Sequence, residues 1–356
     1  MRCLVIGDVH WSSFSSILRK MGDKYSKRLE NLINSINWVE EQAEILNVDK
    51  IIYAGDFFDK TTLNADEITA LQEVAWANIP HLFLIGNHEG LTSTLDISTT
   101  HIFQNIPNCA IIDKPTLDIG FGYQLILLPY ILEKDRKSLK EYHKQLWAQE
   151  GNFFTTQEVK KIYYISHNDI KMFYGNFESK EGFDPDEIDR SCELFINGHI
   201  HNYSKFSKKG INIGNLTGQN FSEDASKYNH NILLLDTLSD TYNIIENPFA
   251  YNFYKLEFNC LEELIEYNFK CNSVLSVKIP ESQVVKAREY LDSISDIVKE
   301  YRVISVPNLQ ENSLNENGNE EVIEAVNHLE EFVKFISENF DMTDILKEEL
   351  REVCKE

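Results

Sequence analysis

Five short apolar runs in this chain each stop on a cluster of histidine, aspartate or asparagine. The clusters are Asp8-Val9-His10, Gly55-Asp56-Phe57-Phe58-Asp59, Gly86-Asn87-His88-Glu89, Ser166-His167 and Gly198-His199-Ile200-His201. The preceding runs are β-forming, such as Cys3 to Ile6 and Leu82-Phe83-Leu84-Ile85. In an α/β sheet, loops at the carboxyl ends of the strands converge on one crevice, so groups distant in sequence can meet there. The pattern therefore constrains both the fold and the place where polar groups meet.

Further strands are expected at Lys50 to Ala54, His81 to Ile85, Gln124 to Leu128, Ile162 to Ile165, Leu194 to Asn197, Ile211 to Ile213 and Ile232 to Asp236. Between the first two strands, Leu29, Leu32, Ile33, Ile36, Val39 and Ala43 recur at helical spacing over Tyr25 to Leu46. Strand, helix, strand in repetition predicts an α/β fold over residues 1–250. A second, α+β unit of residues 251–306 is expected from strands at Phe253 to Phe258, Ser273 to Ile279 and Tyr301 to Val306. Helices at Leu261 to Asn268 and Glu281 to Glu300 separate them. Residues 307–320 are polar, rich in Asn and aperiodic, and read as a linker. Residues 321–356 read as helical. Val322, Ala325, Val326, Leu329, Phe332, Val333 and Ile336 form an apolar stripe that needs a surface to cover it, on this chain or on a partner.

Composition narrows the class. Among 356 residues, 42% are hydrophobic and 12% aromatic, as in a folded chain. No stretch approaches the ~20 apolar residues of a membrane span, and the N-terminal apolar run is too short for a secretion signal, so the expectation is a cytoplasmic protein without a membrane partner. Six scattered cysteines form no CxxC pair and read as reduced, mostly core residues. Net charge is −23, of which the segment after Ser305 carries −10, from 14 acidic and 4 basic residues. A free acidic protein repels nucleic acid at long range, so a nucleic-acid substrate requires bound cations or a basic partner.

The clusters have the composition of a metal site. Alternation along an extended segment would send Asp8 and His10 to one side, and likewise His199 and His201. Glycine before a ligand permits a sharp turn. Mixed oxygen and imidazole donors suit Mn, Fe, Zn or Ni better than Ca. A carboxylate such as Asp56 can bridge two cations, and two cations roughly 3.5–4 Å apart can clamp the attacking and leaving oxygens of a phosphoryl displacement. Each motif alone is weak; Gly-Asn-His-Glu is stronger, because a polar tetrad directly after an apolar strand has no packing purpose.

Taken in order, D-x-H, GD-x-x-D, GNHE, a strand-end histidine and GH-x-H resemble the calcineurin-like metallophosphoesterase superfamily. The resemblance implies a four-layer α/β/β/α sandwich, with a small α+β capping domain and a helical C-terminal tail. It implies one metal on Asp8, His10, Asp56 and His201, and a second on Asp56, Asn87, His167 and His199. His88 would protonate the leaving oxygen or stabilise the transition state, a role suited to a group titrating near neutrality. Asp59 and Glu89 either orient His10 or His88 or serve as turn and cap carboxylates.

Within the superfamily, the chain resembles the SbcD-type double-strand-break-repair nucleases and the recombination nuclease subunits of tailed phages. The resemblance rests on Asp8 following one strand, on His167-Asn168-Asp169-Ile170 through Phe173-Tyr174-Gly175 and Gly182-Phe183-Asp184-Pro185, and on the loop Ile213 to Asp224. It implies a two-metal DNA nuclease using Mn2+ (or Mg2+, Fe2+ or Zn2+), exonucleolytic on duplex ends and endonucleolytic on single strands. It would act with a coiled-coil ABC-type ATPase in recombination or repair, in a bacterial or phage-infected cell, with a homodimer as a further option. The alternatives are a stand-alone phosphatase or small-molecule phosphodiesterase, and a non-catalytic subunit. Lys205, Lys208 and Lys209 could touch a phosphate backbone or form a solvated turn.

Overall fold

The computed structural model describes residues 1–307 apart from 16, 19, 20, 93, 151–160, 175 and 176. The expected linker from Asn308 onward, the helical segment 321–356 and Gly175 of the quoted motif lie outside the described residues. The chain divides after Pro307 into two units, of which Met1–Pro307 is the one described here.

The elements of the first 250 residues are β1 (Arg2–Ile6), α1 (Lys27–Ile45), β2 (Lys50–Tyr53), α2 (Ala65–Leu71), β3 (His81–Leu84), β4 (Cys109–Ile112), β5 (Thr116–Gly120), β6 (Tyr123–Leu128), α3 (Leu139–Glu150), β7 (Lys161–Ser166), the ribbon β8 (Phe173–Tyr174) and β9 (Phe177–Glu178), α4 (Pro185–Ser191), β10 (Leu194–Asn197), β11 (Ser204–Lys205), β12 (Gly210–Asn212), β13 (Asn231–Asp236) and β14 (Thr241–Glu246). Two six-stranded sheets result, ordered β14-β13-β1-β2-β3-β4 and β11-β12-β10-β7-β6-β5.

Side-chain alternation explains the layering. Cys3 and Val5 of β1 face the second sheet, where they pack with Leu125, Leu127, Ile165 and Ile196. Leu4 and Ile6 face α1, against Leu29, Leu32, Ile36 and Val39. The other face of the second sheet, with Ile126, Leu128, Tyr164 and Phe195, is covered by Leu139, Tyr142 and Leu146 of α3 and Ile188 of α4. The order is helix, sheet, sheet, helix, which is the expected sandwich, and it explains why the runs are apolar at consecutive positions. Behind the first sheet, Glu40 of α1 accepts from Tyr53 (3.0 Å), His81 (2.9 Å) and the Ala77 amide (3.1 Å), so its burial is matched by partners.

Residues 252–306 form β15 (Asn252–Glu257), α5 (Leu261–Glu266), β16 (Ser273–Pro280), α6 (Val284–Ser293) and β17 (Val298–Val306). The three strands pair in parallel in that order, each joined to the next by a helix. The long helix expected over Glu281 to Glu300 is shorter: it ends at Ser293 and β17 begins five residues later. Ser293 turns its hydroxyl onto the Tyr290 carbonyl (2.6 Å), which competes with helix continuation. The described cysteines are free, but only Cys3 and Cys192 are buried and Cys271 is exposed, fewer in the core than expected. Among the described residues, no helix is long and apolar enough to cross a membrane.

Candidate metal centre

Strands β1, β2 and β3 run parallel, as do β6, β7 and β10, so the clusters leave each sheet at its carboxyl end. The loops after them do not stay extended. His10 (φ 49°), Asp56 (φ 46°) and His199 (φ 62°) all lie in the left-handed region, which ordinary side chains rarely adopt. The expected extended alternation at Asp8–His10 and His199–His201 is therefore corrected: the paired side chains meet because the backbone turns between them. The Asp56 carbonyl holds that turn by accepting from the amides of Val9 (3.1 Å) and His10 (2.9 Å). Glycine is required here by crowding. A Cβ on Gly55 would sit 2.2 Å from His167 Nδ1, and one on Gly86 would sit 2.1 Å from Asp56 Oδ1.

The structure brings the seven expected ligands together in two adjacent groups. In the first, Asp8, His10 and His201 offer ligand atoms within 4.8 Å of one another. His10 Nε2 faces His201 Nε2 at 3.1 Å, and Asp8 Oδ2 lies 3.8 Å and 3.6 Å from those nitrogens. In the second, Asp56, His167 and His199 are similarly close. His167 Nε2 lies 3.1 Å from both Asp56 Oδ2 and Asn87 Oδ1, and 3.3 Å from His199 Nδ1. Asp56 Oδ2 also lies 4.0 Å from His10 Nε2, which places it between the groups. Its other oxygen accepts the His88 amide at 2.9 Å, leaving Oδ2 to face inward.

Two features fit this donor set to cations. Asp8 Oδ2 is buried with no hydrogen-bond partner among the described residues, a costly arrangement for a carboxylate oxygen unless a cation meets it. Each of the four candidate ligand imidazoles also donates its outer N–H to a fixed acceptor. His10 Nδ1 donates to Asp59 Oδ1 (3.0 Å), His167 Nδ1 to the Ala54 carbonyl (2.8 Å), His199 Nε2 to Asp169 Oδ1 (3.1 Å) and His201 Nδ1 to Glu223 Oε1 (3.3 Å). With the outer N–H fixed in this way, the inner nitrogen is the one that offers its lone pair to a cation once it is deprotonated.

His88 stands at the rim with its side chain 45% exposed. Its Nε2 is 4.0 Å from Asp56 Oδ2, and its Nδ1 donates to the Asp59 carbonyl at 3.2 Å. Glu89 is buried and accepts from the amides of Gly86 and Phe58, both at 3.0 Å, tying the second cluster to the third. Burial and the nearby Asp56 push its carboxyl up to about 7. Asp169 and Glu223 were not singled out by sequence; Asp169 sits two residues after His167, and Glu223 lies inside the quoted loop after the last ligand. Glu223 also accepts from Asn215 Nδ2 (3.0 Å) and the Gln219 amide (2.8 Å), so it fixes that loop as well as His201. Lys208 and Lys209 are elsewhere. Their amides bond Asp189, and the Lys209 ammonium meets the Cys192 carbonyl at the amino end of β10, opposite the site.

The sequence pattern of the calcineurin-like phosphoesterases matches residues 1–203 of the 356, more than half of the chain and all five clusters. The chain belongs to the calcineurin-like phosphoesterase family. Members are metal-dependent phosphoester hydrolases with a two-metal centre, and the Asp8 to His201 constellation occupies the matched region. Among solved structures, the chain is similar to a protein from Thermus thermophilus at 9% identity, covering 69% of this chain and 98% of that one with a TM-score of 0.39. It is similar to a dimetal phosphatase from Danio rerio at 12% identity, covering 69% and 99%, with a TM-score of 0.36. A comparison with curated protein sequences finds no significant match.

Two predictions arise from the centre of this phosphoesterase. Burial opposes a charge on His10, yet the hydrogen bond to Asp59 and the nearby Asp8 and Asp56 carboxylates raise it to about 10. Burial likewise opposes a charge on His167, and Asp56 raises it to about 9. Both imidazoles therefore hold protons near pH 7 that a cation must displace. Loading two cations releases about two protons at pH 7, and apparent affinity climbs as pH rises toward 9. Calorimetry in buffers of differing ionisation enthalpy measures this, and metal binding without proton release would contradict it. Secondly, Glu223→Gln removes the charge behind His201 and weakens one cation about 10- to 100-fold while sparing the other. A titration showing both sites as tight as in the unaltered protein would remove Glu223 from this role.

Proposed function

We infer that this chain is a two-metal-dependent DNA nuclease that hydrolyses phosphodiesters and acts with a coiled-coil ABC-type ATPase. The observation that carries the hydrolytic part is the position of Asp56 Oδ2 between the two donor groups, 3.1 Å from His167 Nε2 and 4.0 Å from His10 Nε2, with His88 Nε2 at 4.0 Å. Asp8, His10, Asp56 and His201 would hold one cation and Asp56, Asn87, His167 and His199 the other. Such a pair, Mn2+ in this reading, would supply charge neutralisation at the phosphoryl group and an acidified water. The protein's own part is positional. Asp59, Asp169, Glu223 and the Ala54 carbonyl aim the imidazoles, and Glu89 locks the loops that present Asp56 and Asn87. His88, at the exposed rim, is placed to give a proton to the departing oxygen.

The choice of DNA is supported by the motif resemblance from His167 to Pro185 and through Ile213 to Asp224, and by the α+β unit that follows the matched region. Residues 321–356 would supply the ATPase-binding element and the partner the basic surface that a charge of −23 lacks. That same charge favours the rival reading, a small-molecule phosphodiesterase or phosphatase.

The deciding experiment supplies Mn2+ and compares labelled linear duplex and single-stranded DNA with bis(p-nitrophenyl) phosphate, with and without chelator. Chelator-sensitive DNA cleavage is expected. Hydrolysis of the aryl ester with DNA left intact would replace the nuclease by the small-substrate enzyme.

A further inference from the structure

A cavity of about 180 Å³ opens between the three-stranded sheet and the loops that leave the metal centre. Its walls include Ile17, Phe221, Val274 and Tyr301, and Glu300 and Arg302 bring opposite charges to it. Two of these walls come from loops that touch the candidate centre, one carrying His10 and the other the Glu223 that holds His201. Ile17 lies seven residues after His10, and Phe221 lies two residues before Glu223, whose carboxylate holds His201. The Phe221 ring is braced edge-on against Phe253 with centroids 5.2 Å apart. The Arg302 guanidinium lies over it at 4.6 Å and is fixed by a 2.8 Å bond from Nε to Ser276 Oγ. Arg302 is nevertheless exposed.

A half-buried aromatic ring capped by an exposed, immobilised guanidinium plane is a stacking platform for flat heterocycles. The guanidinium's terminal N–H groups offer donors to a heterocycle's polar edge. The cavity is too small for a whole drug-sized ligand, for which ~300 Å³ is a lower bound. It suits a single ring system whose remainder lies outside. We propose that this cavity receives one unpaired nucleobase of the strand whose phosphodiester sits at the metal centre. The assignment rests on the nuclease reading above. It gives that enzyme a register: one base position, at a fixed offset from the cut, is held by the Phe221–Arg302 stack. The contact uses the π face common to all bases, so the preference is for an unpaired base over none, with little discrimination among bases.

The test uses the full chain with Mn2+ and a series of single-stranded oligonucleotides, each carrying one abasic residue at a different offset from the cleavage point. In the unaltered protein one abasic offset lowers kcat/KM about tenfold. Phe221→Leu keeps the apolar volume and removes the π face. It gives the same loss on the intact strand and no further loss at that abasic offset, because the two changes delete one contact. Arg302→Gln, at an exposed position, shifts the profile in the same direction. Equal cleavage at every abasic offset, or a Phe221→Leu protein that keeps the full offset dependence, overturns the cavity assignment and leaves the nuclease intact. No oligonucleotide cleavage by protein that hydrolyses bis(p-nitrophenyl) phosphate overturns both.

Discussion

Replacing His88 by asparagine lowers turnover about 10²- to 10⁴-fold on a substrate with a poor leaving group, and leaves metal content near that of the unaltered protein. The geometry gives a more specific expectation. His88 Nδ1 is committed to the Asp59 carbonyl at 3.2 Å, so only the imidazolium carries a proton on Nε2, the nitrogen that faces Asp56. The cationic ring is therefore the form that can donate from Nε2. A leaving group such as p-nitrophenolate, which departs without a proton, should feel the substitution far less than a deoxyribose alcohol does. Kinetics on both esters beside elemental analysis checks this. Equal losses on the two substrates would mean His88 is not a proton donor, and loss of a cation would make it a ligand, since His10, Asp56 and His88 also lie close enough to share one.

Asp56→Asn should act on both cations at once and cost about 10³-fold or more in activity, several kcal/mol of transition-state stabilisation. Burial alone would raise the Asp56 carboxyl, but the charge on His167 and the hydrogen bond to it, with His10 and His88, hold it well below the usual range. It is therefore an anion across the whole working range of pH. Asparagine retains an oxygen for the His88 amide, so the loop that Oδ1 fixes at 2.9 Å survives. What is lost is the inward Oδ2, replaced by an NH2 group that cannot ligate. The expected protein is folded and binds fewer than two cations, and in chelator it unfolds more readily than the unaltered protein, because buried His10 and His167 lose the carboxylate that offsets their charge. Two tightly bound cations in this variant would show that Asp56 does not bridge, and the two-group description would fail with it.

Much of the fold was legible because both sheets are covered on both faces. Burial on two sides forces consecutive apolar residues, so β1, β2, β3, β6, β7, β10 and β13 announce themselves in Cys3 to Ile6 and its counterparts, to within one or two residues at their ends. The edge strands β5 and β14 were not legible. One side of β14 is open, and Thr241–Glu246 alternates without a dense apolar run. The short helices α2 and α4 owe their starts to Asn64 and Asp184 caps rather than to periodicity. The end of α6 was misread because local hydroxyl bonding outweighs a pattern that still looks helical.

The site divides along a similar line. Sequence alone determined which residues approach one another, because an α/β sheet delivers strand ends to one crevice and Asp, His and Asn have no packing reason to follow five apolar strands. It did not determine how they meet. Left-handed backbone at His10, Asp56 and His199, the lone-pair direction of each imidazole, and the acceptors Asp169 and Glu223 that set it are tertiary facts. Their partners are 30 and 22 residues apart, and a carboxylate in a loop carries no periodic signal of what it touches. The reason is physical: chain propensity and burial act locally and leave a repeating trace in sequence, while a hydrogen bond between two loops needs only that both backbones arrive, and that is decided by the packed sheets beneath them.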